Sequence, residues 1–254
     1  MDDFPAPVTP QGGVAAVPRR VRGFLGARAV VDSTRALYAW EWPYYPQYYF
    51  PLDDVAPGLL IGEDRYEEGP FGPFEWHTLR TGEATRTGAA RVLPGSPVAE
   101  LGGTVRFEWD ALDAWYEEDE QVYVHPRNPY SRVDAVRSTR HVRVALDGVT
   151  LARSSSPVMV FETGLPTRYY LNRTEVDFAH LVVSPTVTAC PYKGVTSGYW
   201  SVHVGGAQYP DLAWTYDFPT RQLLPIAGLV AFYNEKVDIW IDGRPVPRPV
   251  THFT

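Results

Sequence analysis

The sequence predicts a mainly β protein built from two tandem copies of one domain, packed as an internal pseudo-dimer. Three observations lead there. Short runs of β-branched and aromatic residues are broken throughout by 24 Pro and 21 Gly, the composition of many strands and turns. Asp-Gly pairs stand between alternating runs, the strongest two-residue hairpin signal. A long stretch of the first half also matches the second half at a fixed offset.

The repeat sets the order of elements. Arg20–Val55 lies over His141–Val176 without a gap, with Glu41 on Glu162 at an offset of 121. Val21, Arg22, Leu25, Ser33, Glu41, Tyr48, Tyr49 and Val55 equal their partners. Further on, Gly103, Phe107 and Trp115 fall on Gly228, Phe232 and Trp240 at an offset of 125. Four extra residues therefore belong to the second copy, placed by this alignment near CPYKGVTSG. Two copies of this size are a duplicated domain rather than a solenoid, whose units run about 20–50 residues. The expected division is a mobile leader over 1–19, a first copy over 20–124, a Pro- and Arg-rich linker over 125–139 and a second copy over 140–254.

Within each copy the elements read as strands. HVRVALDGVTLARS is strand, Asp147-Gly148 turn, strand, and VDIWIDGRPV repeats the arrangement with Asp242-Gly243. PVMVFETG and TRYYL are strands turned by Gly164 and Pro166. LDDVA and RTEVDFA suit a helical turn or two. The acidic run Glu117-Glu118-Asp119-Glu120 suits a solvated hairpin tip. Trp109, Trp115, Trp214 and Trp240 have core spacing.

Composition narrows the function classes. A net charge of −7 lacks the basic footprint of nucleic-acid binding. The single cysteine excludes an internal disulfide and a multi-cysteine zinc site, and it suits a reducing cytoplasm. The N-terminus opens acidic and is not a signal peptide. The longest apolar run, Leu223–Tyr233, is too short to span a bilayer. His125, His141 and His180 have no metal spacing, and no cofactor is implied. The expected partner is a small-molecule ligand, with the chain a monomer or weak homodimer.

The candidate site centres on TACPYKG, Thr188–Gly194. A thiol attacks as thiolate, so it needs a nearby cation or base. Lys193, one of only two lysines, supplies the charge, and His203 or Glu162 is the candidate base. The competing view is that Cys190 is a small core residue in a Pro-Gly turn. Glu162 and its counterpart Glu41 sit in apolar surroundings and need partners, for which Arg143 and Arg22 are the obvious choices. Tyr170 and Tyr49 point to the opposite strand face from Tyr169 and Tyr48, so one of each pair is core and the other can line a pocket. Arg168 is a candidate anion holder, with Gln47 opposite it in the repeat. Tyr192 belongs to the same turn. His125 and Arg127, with Tyr130 and Arg132, are expected to wall one ligand site from the linker side.

These motifs together resemble the bacterial family called domain of unknown function 427, in its tandem form. The resemblance rests on VDSTRAL, WE and YYFPLDDV in the first copy. In the second it rests on FETGLPTRYYLNRTEV, TACPYKG, YWSV and IAGLVAFY, and it covers nearly everything after residue 19. It implies a mostly antiparallel fold of the β-tent kind. The family is sometimes labelled nucleotidyltransferase-like, but the chain holds no glycine-serine loop followed by a metal-binding Asp-x-Asp. The first copy lacks CPYKG, so any site is expected in the second. Two functions follow: a small-molecule enzyme of hydrolase, transferase or lyase type, or a non-catalytic ligand-binding or scaffold protein with CPYKG as a structural turn.

Overall fold

In the computed structural model, which describes residues 12–82 and 84–254, the chain divides into two units between Tyr130 and Ser131. The first contains β1 (Val14–Ala16), β2 (Val21–Leu25), β3 (Arg28–Ser33), β4 (Leu37–Ala39), β5 (Gln47–Pro51), β6 (Leu60–Gly69), β7 (Gly72–Arg80), β8 (Thr85–Leu93), β9 (Thr104–Phe107), β10 (Ala114–Glu117) and β11 (Glu120–Val122). The second contains β12 (Val133–Arg137), β13 (Val142–Leu146), β14 (Val149–Ser154), β15 (Val158–Glu162), β16 (Leu165–Leu171) and β17 (Leu181–Ser184). It continues with β18 (Ala189–Cys190), β19 (Gly194–Val195), β20 (Gly198–Val204), β21 (Ala207–Thr215), β22 (Val230–Phe232), β23 (Asp238–Ile241) and β24 (Arg244–Val246). The described helices are all short 3-10 turns, among them Leu52–Asp54, Arg173–Glu175 and Phe178–His180, where the sequence suggested them.

The halves share one topology. The first unit orders its large sheet β1-β4-β5-β9-β8-β7-β6 and its small sheet β11-β10-β2-β3. The second orders them β12-β15-β16-β22-β21-β20-β17 and β14-β13-β23-β24, strand for strand the same arrangement. All pairings are antiparallel, and the linear orders close no barrel. The hairpin turns match their chemistry: Asp147 and Gly148 have φ of 48° and 81°, and Asp242 and Gly243 have 52° and 78°. Asp tolerates that left-handed region and Gly enters it freely.

Strand registers refine the repeat. Leu60 pairs Leu79 as Leu181 pairs Val202, and Ala90 pairs Phe107 as Ala213 pairs Phe232. Two of the four extra residues therefore lie between β17 and β20, and the other two between β21 and β22. The expectation that all four surround CPYKG is corrected. The tail match also shifts by one: Tyr116, not Trp115, takes the place of Trp240, since each faces the repeated arginine, Arg22 or Arg143. Trp240 consequently lies outside the core, under the Arg143 guanidinium at 3.6 Å.

The central strands of each large sheet are buried on both faces. One face packs on the small sheet through a core including Val21, Tyr48, Phe50 and Trp115, or Val142, Tyr169, Leu171 and Ile239. The other is covered by the chain's own excursions over Tyr49 and Leu101, or over Tyr170, Trp214, Leu223 and Ile226. Adjacent tyrosines do point to opposite faces, but both of each pair are core.

Three boundary expectations change. Val14–Ala16 pairs with β4 and Val17 is buried, so the leader ends before Val14; residues 1–11 lie outside the described residues. The linker is no separate segment: Val133–Arg137 is the edge strand of the second large sheet, pairing with β15. Glu117 is no part of a solvated tip. Its carboxylate is buried and accepts from Tyr48 Oη (2.6 Å), Tyr38 Oη (3.2 Å) and Arg19 Nη1 (2.5 Å).

The copies solve one packing problem with different volumes. Gly23 faces Trp115, where Val144 faces Ile239. A Cβ on Gly23 would stand 2.6 Å from Leu112 and 2.9 Å from the Trp115 ring, so the large ring requires the glycine. Gly23→Val is expected to destabilise the first unit by about 2 kcal/mol through overpacking. Adding Trp115→Ile, the pair of the second unit, should recover most of that loss. Urea denaturation of both single variants and the double variant measures the coupling.

Candidate functional site

β17 ends at Ser184, which pairs with Tyr199 on β20, and between them the chain leaves the sheet. The first unit extends β6 and β7 there as a plain hairpin closed at Gly69 and Gly72. In the second unit the excursion makes its own ladder, with Ala189 opposite Val195 and Cys190 opposite Gly194. Gly194 has a φ of +97°, a conformation suited to glycine, and it closes the turn over Pro191-Tyr192-Lys193. Thr196 N–H donates to the Thr188 carbonyl (2.9 Å), and Thr188 N–H donates to Thr196 Oγ1 (2.8 Å). Thr220 ties the turn down, donating its hydroxyl to the Tyr192 carbonyl (2.6 Å) and its N–H to the Lys193 carbonyl (3.1 Å).

This geometry delivers the Lys193 side chain into the interior, where only 7% of the residue is exposed. Its Nζ makes an ion pair with Glu162 Oε2, from the end of β15, and stands 3.9 Å from Cys190 Sγ. Burial alone would lower the ammonium pKa. The Cys190 sulfur, the Glu162 carboxylate and Tyr170 outweigh it and hold Lys193 above the ordinary lysine range. Cys190 itself is half-buried. Beneath them burial pushes the Tyr170 phenol up to about 12, with Lys193 opposing, and its oxygen accepts from Trp214 Nε1 at 3.2 Å. Burial also raises Tyr216 well above the ordinary range, reinforced by Tyr170 and Cys190. Tyr199 Oη meets Thr188 Oγ1 and Tyr233 Oη, each at 3.1 Å. The site is thus a half-exposed thiol held over a buried cation and a floor of neutral phenols.

The family model described as domain of unknown function (DUF427) matches the chain twice, over residues 13–118 and 134–243. The chain belongs to the DUF427 family. No curated protein matches it. The two matches coincide with the two units, so each unit is one DUF427 domain.

The expected partners of the two repeated glutamates are corrected by the structure. In the first DUF427 domain Glu41 accepts from Tyr49 Oη (2.9 Å) and faces Arg106 Nε at 3.0 Å, not Arg22. In the second, Glu162 takes Lys193, not Arg143. Register places Arg106 opposite Arg91 and Ala231 opposite Trp214, so the second domain has lost both arginines at these positions. A carboxylate and a tyrosine are common to both domains, while the cation comes from β9 in one and from the CPYKG turn in the other.

Other expected site residues stand elsewhere. Arg168 is buried in a two-pronged ion pair with Glu235, Nη1–Oε2 2.6 Å and Nη2–Oε1 2.7 Å, so its anion is the chain's own. Glu235 was not singled out in the sequence, where its only mark is an acidic residue after the apolar run 229–233. His203 is exposed, four residues and so roughly 13 Å along β20 from Tyr199, whose hydroxyl meets Thr188 at the start of TACPYKG. It is not brought to Cys190. His125 and Arg127 pack with the first domain. The His125 ring stacks on Tyr45 at 3.7 Å, and Arg127 faces Glu120 at 3.5 Å, because the chain through Tyr130 continues the first unit. Tyr192 is half-buried, with its carbonyl on Thr220. Among the described residues no cluster of three or more His, Cys, Asp or Glu is arranged to hold a metal, and no helix is long and apolar enough to cross a membrane.

The Arg168–Glu235 pair has a pH signature. Burial pushes the Glu235 carboxyl up, but hydrogen bonds from Arg168 and Thr251 prevail and hold it below the usual carboxylate range. A carboxyl with a lowered folded pKa contributes stability above its unfolded pKa, and that contribution is lost as pH falls through the folded value. Glu235→Gln is expected to cost about 3 kcal/mol at pH 7, leaving Arg168 charged and unneutralised. At an acidic pH, below the usual carboxylate range and low enough to protonate the wild-type carboxylate, the difference should shrink. Urea denaturation at the two pH values tests both the cost and its direction.

Proposed function

We propose that the second DUF427 domain is a cysteine-dependent enzyme acting on the carbonyl group of a small molecule, with Cys190 as nucleophile. One observation carries this: a buried ammonium, braced by Glu162, stands 3.9 Å from the only thiol, which is itself half-exposed. A fixed cation at that distance favours thiolate over thiol. The sulfur lone pair forms the S–C bond while the carbonyl π pair moves onto oxygen, where the Lys193 ammonium faces the developing charge. Glu162 takes the thiol proton and passes it to the departing group. The oxyanion pair returns to the C=O as the bond to the protonated leaving group breaks, giving a thioester. Water then adds to that carbonyl, the S–C bond breaks, a proton from water returns to sulfur and the carboxylic acid leaves. Tyr170 and Tyr216 form an apolar-bodied floor that excludes water beneath the thiol. A lone thiol suits a reducing cytoplasm in a bacterial cell.

A second reading has its own support. Thr220 fixes the carbonyls of Tyr192 and Lys193, and the Lys193–Glu162 pair pins the turn to β15, which is what a structural clasp in a non-catalytic domain requires.

Iodoacetamide alkylation of the native chain at pH 7 separates them. A nucleophilic thiol should react about tenfold faster than a free cysteine in the same buffer. Lys193→Met should slow alkylation about tenfold, and Glu162→Gln should slow it too, since the thiol then lacks its base. Labelling that requires denaturant, or that is unmoved in both variants, selects the clasp.

A further inference from the structure

The outer surface of the second domain's small sheet carries a groove of about 640 Å³, apart from the thiol site. His141, Arg143, Arg153, Ser154, Ser155 and Trp240 line it. Arg143 and Arg153 are cross-strand partners, directly opposite one another on β13 and β14. Opposed residues in an antiparallel pair have Cα atoms roughly 5 Å apart, and like charges placed so are destabilising. Among the described residues neither guanidinium meets a carboxylate. Arg143 lies over the Trp240 ring at 3.6 Å, and Arg153 Nη2 reaches only Thr150 Oγ1 at 3.4 Å. The carboxylate on the rim, Glu175, is occupied in accepting from the Asn172 N–H (3.2 Å) and Ser156 Oγ (3.4 Å).

The first domain shows the same positions neutralised. Arg22 stands where Arg143 does, but its cross-strand partner is Asp32, and Asp119 Oδ1 meets its Nη2 at 2.7 Å. Arg20, at the position of His141, grips Asp32 through two hydrogen bonds of 2.6 and 2.5 Å. By register, the second domain has Arg153 in place of Asp32 and Gly243 in place of Asp119. Both acids of the pattern are gone, one replaced by a further cation and the other by a residue with no side chain. A fold that discharges this arginine in one copy leaves two arginines undischarged beside a groove in the other.

We propose that this groove binds the phosphate group of a small phosphorylated molecule. Guanidinium groups on two opposed residues offer more charged N–H donors than one carboxylate uses, and a phosphate, with three free oxygens, can accept from both. Ser155 and His141, which also line the groove, add donors at one end of it. The site is independent of the thiol chemistry and stands whether or not Cys190 is a nucleophile.

Isothermal titration calorimetry of the full chain with pyrophosphate, at low and at physiological salt, tests the proposal. Saturable binding that weakens with salt is expected. Arg153→Asp, which restores the first domain's charge pattern, should reduce affinity by about 10- to 100-fold, the range for losing a charged hydrogen bond. The same variant should keep or raise the melting temperature, because it relieves the arginine pair. Arg143→Gln serves as the second variant and should also weaken binding at least tenfold. No heat of binding at millimolar pyrophosphate overturns the proposal, as does equal affinity in wild type and Arg153→Asp. Binding of citrate in preference to pyrophosphate would overturn it too, and so would binding of an RNA oligonucleotide without binding of pyrophosphate.

Discussion

The central strands of each seven-stranded sheet are buried on both faces, so side chains up and down from them must find either apolar neighbours or a complete set of polar partners. One face is served by the small four-stranded sheet, in the same way in both halves. The other has no second sheet, and the chain covers it with excursions between strands. A carboxylate at the end of β4 or β15 is caught at the margin of that covered face, and it cannot remain there as a charge without a cation. How each domain supplies the cation decides what the covered face becomes.

In the first domain the answer lies within the sheet. Arg106 and Arg91 rise from neighbouring strands, share Glu108 at 2.5 and 2.6 Å, and extend the network to Glu41. Charges matched within a ladder leave a rigid, closed patch. In the second domain the arginine positions hold Ala231 and Trp214, and the cation must come from outside the sheet. The CPYKG turn supplies it, and in doing so carries a thiol to the same ammonium. The ion pair that solves a burial problem thereby places an ammonium beside the Cys190 sulfur. Thr220 matters for the same reason: its two bonds to consecutive carbonyls fix the turn that aims Lys193 inward.

The small sheets diverge in a parallel way. Glu117 buries a carboxylate against two tyrosines and Arg19 in the first domain, where the second has Ile241 in its core. On the outer face, Arg22 is matched by acids and Arg143 is not. A duplicated scaffold thus keeps its backbone pairing while its charges are redistributed. Backbone hydrogen bonds in a ladder do not depend on side-chain identity, whereas each buried or opposed charge depends on a specific partner.

The sequence by itself determined the strands, the Asp-Gly hairpins, the duplication and the family, because these follow from local chemistry: a period of two, turn residues that accept positive φ, and identities at constant spacing. It also picked out Cys190, Lys193 and Glu162 one by one. Only the tertiary structure decided who meets whom. Glu162 takes a lysine 31 residues away rather than the arginine on the first strand, Arg168 takes a glutamate 67 residues on, and His203 is exposed near the far end of β20. Trp240 leaves the core because the tail of the repeat is shifted by one residue, and in a strand one residue reverses the face. Ion pairs form between groups that the sheet order brings together in space, and that order comes from packing two faces at once, a condition no local stretch of sequence contains.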